Sequence, residues 1–235
     1  AADTRSRLQQ SMKTDTLTLP DGFQSVNYLE VNMPSTEVVY EVSNEPKITY
    51  EYSTLDKSAQ KPDVKAENGR LIISGDEITP DKKDALRFFA TRTLTIAGPD
   101  LKTAQVLHDT HITYFSSQQT DFKVLIGRNA SLTLNKSVIK NLEAYVQQEG
   151  LLDTELSNVS NLSLDVQNGA EFVGGNLASL KVRADESCSI NQRAEISIHS
   201  LNNPTWTLNS AEKMTDDFRE ACLRLAIDSG EYENE

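Results

Sequence analysis

Cysteine is almost missing from this chain: Cys188 and Cys222 are the only two in 235 residues. That excludes a disulfide-dense scaffold and a four-cysteine zinc site. The two could pair in an oxidising compartment; as free thiols they read as a small inward hydrophobe, Cys188, and a helix-face residue, Cys222. Aromatic residues are also scarce, at 6%. Positive charge is in deficit, with 23 Lys and Arg against 35 Asp and Glu and a net charge of −12. No Lys/Arg cluster breaks that balance, which argues against nucleic acid and against anionic membrane surfaces as partners. No run approaches the roughly 18 consecutive apolar residues that span a bilayer. Calcium-loop, phosphate-loop and nucleophile-elbow motifs are lacking. A charged-then-apolar leader is not seen at Ala1, which we read as numbering that starts after a removed signal segment.

What the chain does have is a repeat. Five segments open on an apolar residue and then alternate with a period of two, starting at Phe122, Leu142, Leu162, Leu180 and Ile198. Their first, third and fifth positions are mostly aliphatic and the second is polar, the pattern of strands with one buried face. Polar turn residues follow at 127–129, 147–150 and 167–169, then a second apolar stretch at Ala130 with Leu132, Leu152, Ala170 with Phe172, and Cys188 with Ile190. Val138, Val159, Leu177 and Ala194 or Ile196 supply a third inward position. Asp121, Asn141, Asn161, Ser179 and Ser197 precede the successive units, and such small polar residues favour chain turns. A period near 20 is too short for helical pairs or propeller blades and suits one turn of a stacked, parallel β-solenoid.

The flanks differ. Residues 16–19, 26–33, 38–42 and 47–52 alternate less regularly, with Asn44-Glu45-Pro46 as a hairpin or corner, and Asn68-Gly69 is a strong two-residue hairpin signal between 64–66 and 70–73. Polar stretches at 54–62 and 75–85 separate these pieces, and 94–101 reads as the entry to the repeats. Near Ser210 the character changes: Thr215 can cap a helix carrying Phe218, Ala221, Cys222 and Leu225 on one stripe, with Gly230 as its stop. The expected organisation is a strand-rich part over 14–98, regular coils over 99–209 and a capping helix over 210–230.

Alternation also lets the outward positions be read down the stack. The second position gives Lys123, Glu143, Ser163, Lys181 and His199; the fourth gives Leu125, Tyr145, Asp165 and Arg183. Cross-strand charge pairing explains much of this, at about 0.2–1 kcal/mol per pair. The sharper expectation takes Tyr145, Asp165, Arg183 and His199 as a shallow ligand-binding strip, with a ring to stack on a sugar and polar groups for its hydroxyls. Asp153, Asp165 and Asp185 occupy different coil positions and do not converge as a hydrolase pair must. A Lys123, Asp165, Arg183 constellation is the remaining route to a polysaccharide lyase or hydrolase. His108 and His111 sit three apart in a strand-like region, on opposite faces, so no metal site is expected from them. The four Asn-X-Ser matches at Asn129, Asn135, Asn158 and Asn161 read as coincidence in an Asn- and Ser-rich chain.

The order of features (hairpins, the turn at 68–73, the entry Leu94-Thr95-Ile96-Ala97-Gly98-Pro99-Asp100-Leu101, and coils of 18 to 20 residues) resembles the bacterial family called putative auto-transporter adhesin, head GIN domain, across about 20–210. The resemblance implies an all-β, single-stranded right-handed parallel β-helix, here with a hairpin-rich start and a C-terminal capping helix. It also implies an exported, non-catalytic cell-envelope protein, commonly of Bacteroidetes, located in the periplasm, at the cell surface or secreted. The expected partner is a glycan or a surface protein, and no cofactor or metal is expected.

Overall fold

The computed structural model describes residues 2–56, 61–75, 92–184, 194–199, 205–210 and 223–228. A short helix, α1 (Ala2–Ser11), leads into β1 (Met12–Leu17), and a single 3₁₀ turn at Phe23–Ser25 precedes β2 (Tyr28–Asn32) and β3 (Glu37–Val42). Then follow β4 (Lys47–Ser53), β5 (Asp63–Glu67), β6 (Arg70–Ser74), β7 (Thr93–Gly98), β8 (Thr103–Val106) and β9 (His111–Phe115). The repeat region supplies β10 (Gln119–Ile126), β11 (Ser131–Val146), β12 (Leu151–Val166), β13 (Glu171–Gly174) and β14 (Asn176–Ala184). The last strands are β15 (Ala194–His199), β16 (Thr205–Ser210) and β17 (Leu223–Asp228).

All 17 strands among the described residues join one sheet. One run of pairings passes through β5, β6, β2, β8 and β10 and ends on β14 and β16; the other passes through β1, β4, β7, β3 and β9 and ends on β13, β15 and β17. The 16-residue strands β11 and β12 belong to both, through 131–134 and 151–153 on one side and 139–146 and 158–166 on the other. The bend between their halves coincides with register shifts from Thr133 to Val138, with Lys136 at φ 49°.

This architecture corrects the expected parallel β-helix. The sheet is a curled, open half-barrel of mixed strands. Antiparallel pairs β1–β4, β4–β7 and β5–β6 are built into it. The expected C-terminal cap is corrected too: residues 223–228, placed in that helix, form β17, and Leu225 pairs with Ile196. Cys188, Phe218, Ala221, Cys222 and Gly230 lie outside the described residues. A 20-residue period dictates which strands are parallel neighbours; it does not dictate how the sheet as a whole curls or closes. In the N-terminal part β3 and β4 do not pair with each other, because β7 lies between them, parallel to one and antiparallel to the other. The Asn68-Gly69 turn does join an antiparallel hairpin, with both residues at positive φ, 50° and 77°.

The core follows from parity. In β10, Phe122, Val124 and Ile126 point inward; their register partners Leu142, Ala144 and Val146, then Leu162, Leu164 and Val166, are buried likewise. Fully burying one such side chain contributes about 1.5–3 kcal/mol, so the stacked columns dominate the favourable side of folding. Val138, expected inward, is instead 45% exposed, and Ile139 takes the inward place in register with Val159 and Leu177. Toward the N-terminal side Tyr40 stacks on Tyr114 at 5.6 Å, and Tyr114 tilts against Phe122 at 4.6 Å. Burial pushes both tyrosine hydroxyls well above the ordinary range. Each still has an acceptor, Pro99 O for Tyr40 and Gln119 Oε1 for Tyr114.

Buried polar groups hold the bends. Ser137 Oγ accepts from Ser116 N and donates toward Tyr114 O and Asn135 O, while Ser157 Oγ accepts from Ser137 N at 3.1 Å. At the following position of this bend stands Gly175, where a Cβ would meet Glu155 O at 2.8 Å. Beside β4 and β7 of the second run a buried ion pair joins Arg92 and Asp56 at 2.8 Å, with 5% and 3% of each side chain exposed.

The turns between the two runs stack as well. Their third residues, Asp109, Asn129, Glu149 and Gly169, recur every 20 positions, all at positive φ. Asn129 Nδ2 donates to Asp109 Oδ1 at 2.7 Å. Glu149 is the misfit, since a left-handed conformation costs a side-chain-bearing residue about 1–2 kcal/mol and only Gly, Asn and Asp adopt it readily. Glu149→Gly therefore stabilises the protein by about 0.5–1 kcal/mol after the added backbone entropy is counted. Denaturant titration checks this; an unchanged or lowered midpoint contradicts it.

Candidate functional site

On the strands β10, β11, β12 and β14 the outward residues form three parallel columns, because every second residue faces away from the core. The register aligns Asp121, Asn141, Asn161 and Ser179 in the first column, Lys123, Glu143, Ser163 and Lys181 in the second, and Leu125, Tyr145, Asp165 and Arg183 in the third. Neighbouring members of a column are about 4.8 Å apart, the separation of hydrogen-bonded strands.

The first column is a continuous hydrogen-bonded ladder. Asn141 Nδ2 donates to Asp121 Oδ1 at 3.0 Å, Asn161 Nδ2 donates to Asn141 Oδ1 at 3.0 Å, and Ser179 Oγ donates to Asn161 Oδ1 at 2.6 Å. These residues were expected at chain turns. They lie within strands and bond one another. A groove of about 550 Å³ runs over this ladder and the second column, with Phe122, Leu142 and Leu162 beneath it. Lys102, Lys123 and Lys181 stand on its walls, and Glu143 approaches Lys123 at 3.9 Å.

The third column borders a smaller recess of about 190 Å³, lined by Gln105, His108, Leu125, Arg128, Tyr145 and Gln147. Gln167 Nε2 donates to Tyr145 Oη at 2.7 Å, which fixes the ring at the recess wall. Farther along the same run Tyr28 donates to Gln105 Oε1 at 3.0 Å and carries the Arg70 guanidinium 4.2 Å above its ring.

Of the residues predicted as a strip, the register brings Tyr145, Asp165 and Arg183 to adjacent positions on β11, β12 and β14. It separates His199, which sits on β15 in the other run, opposite Asp228 of β17. The strand after Leu180 is instead β16, with Trp206 opposite Leu180 and Thr207 opposite Lys181. Lys123 stands in the second column and Asp165 and Arg183 in the third, so the three do not meet at one point. Asp153 and Asp165 lie on opposite halves of β12, and Asp185 lies outside the described residues. His108 occupies a turn, while His111 Nδ1 lies 2.6 Å from Ser131 Oγ. Among the described residues there is no group of three or more His, Cys, Asp or Glu placed to hold a metal. Sequence reading missed the ladder as a side-chain network, although the recurrence of a small polar residue just before each unit was visible. It also missed Lys102, which lies outside the repeats.

No family model and no curated protein matches the chain. Among solved structures, a protein named "putative adhesin" from Bacteroides fragilis superposes with a TM-score of 0.58 at 10% identity, covering 92% of this chain and 95% of the other. The match is one of fold. A "putative lipid binding protein" from Parabacteroides distasonis gives 0.45 at 9% identity over 93% and 97%, and a "putative adhesin" from Parabacteroides merdae gives 0.39 at 9% over 93% and 96%. Among the described residues no helix is long and apolar enough to cross a membrane.

The ladder predicts a signed response to charge. Asn141→Asp places a second carboxylate against Asp121 and removes the amide hydrogen that joined them, a like-charge contact worth about 1 kcal/mol at a solvated surface. The introduced carboxyl has its folded-state pKa raised above the unfolded value, so the loss is full at neutral pH and recovers as pH falls through that raised value. Thermal melts of both proteins from pH 7 to pH 3 check this; a pH-independent difference contradicts it.

Proposed function

We propose that the chain is a non-catalytic binding module, adhesin-like and exported to the cell envelope, that holds a glycan or a segment of a surface protein against the face of β10, β11, β12 and β14. The observation that carries this reading is the in-register display of three polar columns beside a groove and a recess. Such a face offers repeated hydrogen-bonding groups at one spacing, suited to an extended ligand. Tyr145 supplies a ring whose edge is already anchored by Gln167, so little side-chain entropy is lost when a sugar stacks on it. Asp165 and Arg183, adjacent across β12 and β14, supply an acceptor and a donor for hydroxyl or backbone groups.

The fold shared with the Bacteroides fragilis protein fits an adhesin-like, extracytoplasmic role. A hydrolytic pair needs two carboxyl groups about 5–9.5 Å apart around the scissile bond. The groove instead offers Asp121, already engaged by Asn141, and Glu143, already beside Lys123. On this reading the face retains a ligand without cutting it.

The test is a panel of immobilised host and bacterial polysaccharides and matrix proteins, scored for retained protein and for newly formed chain ends. At least one member is retained intact, and Tyr145→Ala or Arg183→Ala each weaken retention about tenfold, equivalent to about 1.4 kcal/mol. New reducing or unsaturated ends would overturn the reading, as would retention indifferent to both substitutions.

A further inference from the structure

We propose that the groove over the Asp121–Ser179 ladder is a site for an acidic polysaccharide, bound through its carboxylate or sulfate groups; this rests on the binding role proposed above and names its ligand class.

The ladder has a direction, and Asp121 sets it. An ionised carboxylate can only accept hydrogen bonds, so Asn141 must turn its amide N–H toward Asp121 and its carbonyl toward Asn161. Asn161 repeats that choice, and the Ser179 hydroxyl closes the series by donating to the Asn161 carbonyl. Each amide then spends its carbonyl and one N–H within the ladder. The second N–H of Asn141 and of Asn161 is left over. Each amide carbonyl already accepts one bond within the ladder, and one N–H of each amide remains as a donor along the groove.

The walls add charge of the matching sign. Lys102 and Lys181 border the groove, and neither forms an ion pair among the described residues. Lys123 stands between them, 3.9 Å from Glu143, a loose pair on an exposed surface that a bound anion can displace at small cost. Three lysines thus face two carboxylates here, in a chain whose net charge is −12. Long-range repulsion of anions by the whole chain is screened beyond about 8–10 Å at physiological salt, so the local donors decide what binds. The strand separation of about 4.8 Å is comparable with the advance per sugar in an extended polysaccharide, and successive acidic sugars can meet successive strands. Backbone phosphates would need the dense Lys and Arg patches that the sequence lacks.

Two matched pairs of immobilised chains test this: polygalacturonate against its fully methyl-esterified form, and dextran sulfate against dextran. Retention of the charged member at least tenfold above its neutral partner, in either pair, and weakening as salt rises, is the expected result; which pair responds separates carboxylate from sulfate. Combined Lys102→Gln, Lys123→Gln and Lys181→Gln removes that preference. Glu143→Gln strengthens retention of the charged chain about threefold and leaves the neutral one unchanged, a gain that misfolding cannot mimic. Lys61, Lys47 on β4 and Lys65 on β5 are exposed and do not line the groove; equal loss from the same combination at these three would overturn the proposal, since net charge would then explain the effect. Retention of both members alike would overturn the acidic preference and leave the binding face standing. No retention of any of these chains, with no partner in the wider panel, would overturn both.

Discussion

Parallel pairing of β11 with β12 in a register of 20 residues, from Leu142 on Leu162 to Val146 on Val166, is the constraint from which the remaining features follow. Side chains in a strand alternate, so a fixed register forces like onto like: buried aliphatics continue as columns inward, and Asn, charged and aromatic residues continue as columns outward. A slip by one residue would drive Asn141 and Glu143 into the core and expose Leu142 and Ala144. The cost would be several buried apolar side chains at once, and that makes the register a property of the whole sheet. Because both strands also take part in the second run through 131–134 and 151–153, the same constraint joins the two runs around one core.

The polar networks are consequences of that register. The Asn ladder needs each amide directly over the last, and its members sit opposite one another in the pairing. The hydroxyls of Ser137 and Ser157 satisfy the backbone N–H groups of Ser116 and Ser137 where the long strands bend, groups that would otherwise be buried without partners. Function, on this account, borrows what stability requires: a column kept aligned by register becomes a row of evenly spaced contacts for an extended ligand.

Much of this was legible in the chain. Phe122, Leu142, Leu162 and Leu180 begin segments that do align in the sheet, and Asn68-Gly69 does make a hairpin. Periodicity reports which residues share a face, and it does so best where buried aliphatics repeat without interruption. It failed at Ile198, where continuing the spacing of 18 led to the wrong strand: Leu180 pairs with Trp206, and Ile198 belongs beside Gly174 and Ile227. Longer connections after Ala184 broke the count, and that displaced His199 from the strip. The curl of the sheet, the insertion of β7 between β3 and β4, and the buried Arg92–Asp56 pair depend on contacts between distant segments that no local pattern encodes. The C-terminal stripe of Phe218, Ala221, Cys222 and Leu225 satisfied a helical period by composition, yet tertiary pairing with β15 made 223–228 a strand.

Native-state amide hydrogen exchange tests the central claim most directly, because it reads the opening free energy strand by strand. The account predicts that amides in 139–146 and 158–166 exchange only through global unfolding and are the slowest in the chain, while the β5–β6 hairpin, paired on one side only by β2, opens earlier. Exchange of the β11 and β12 amides at a lower free energy than those of the hairpin would contradict it.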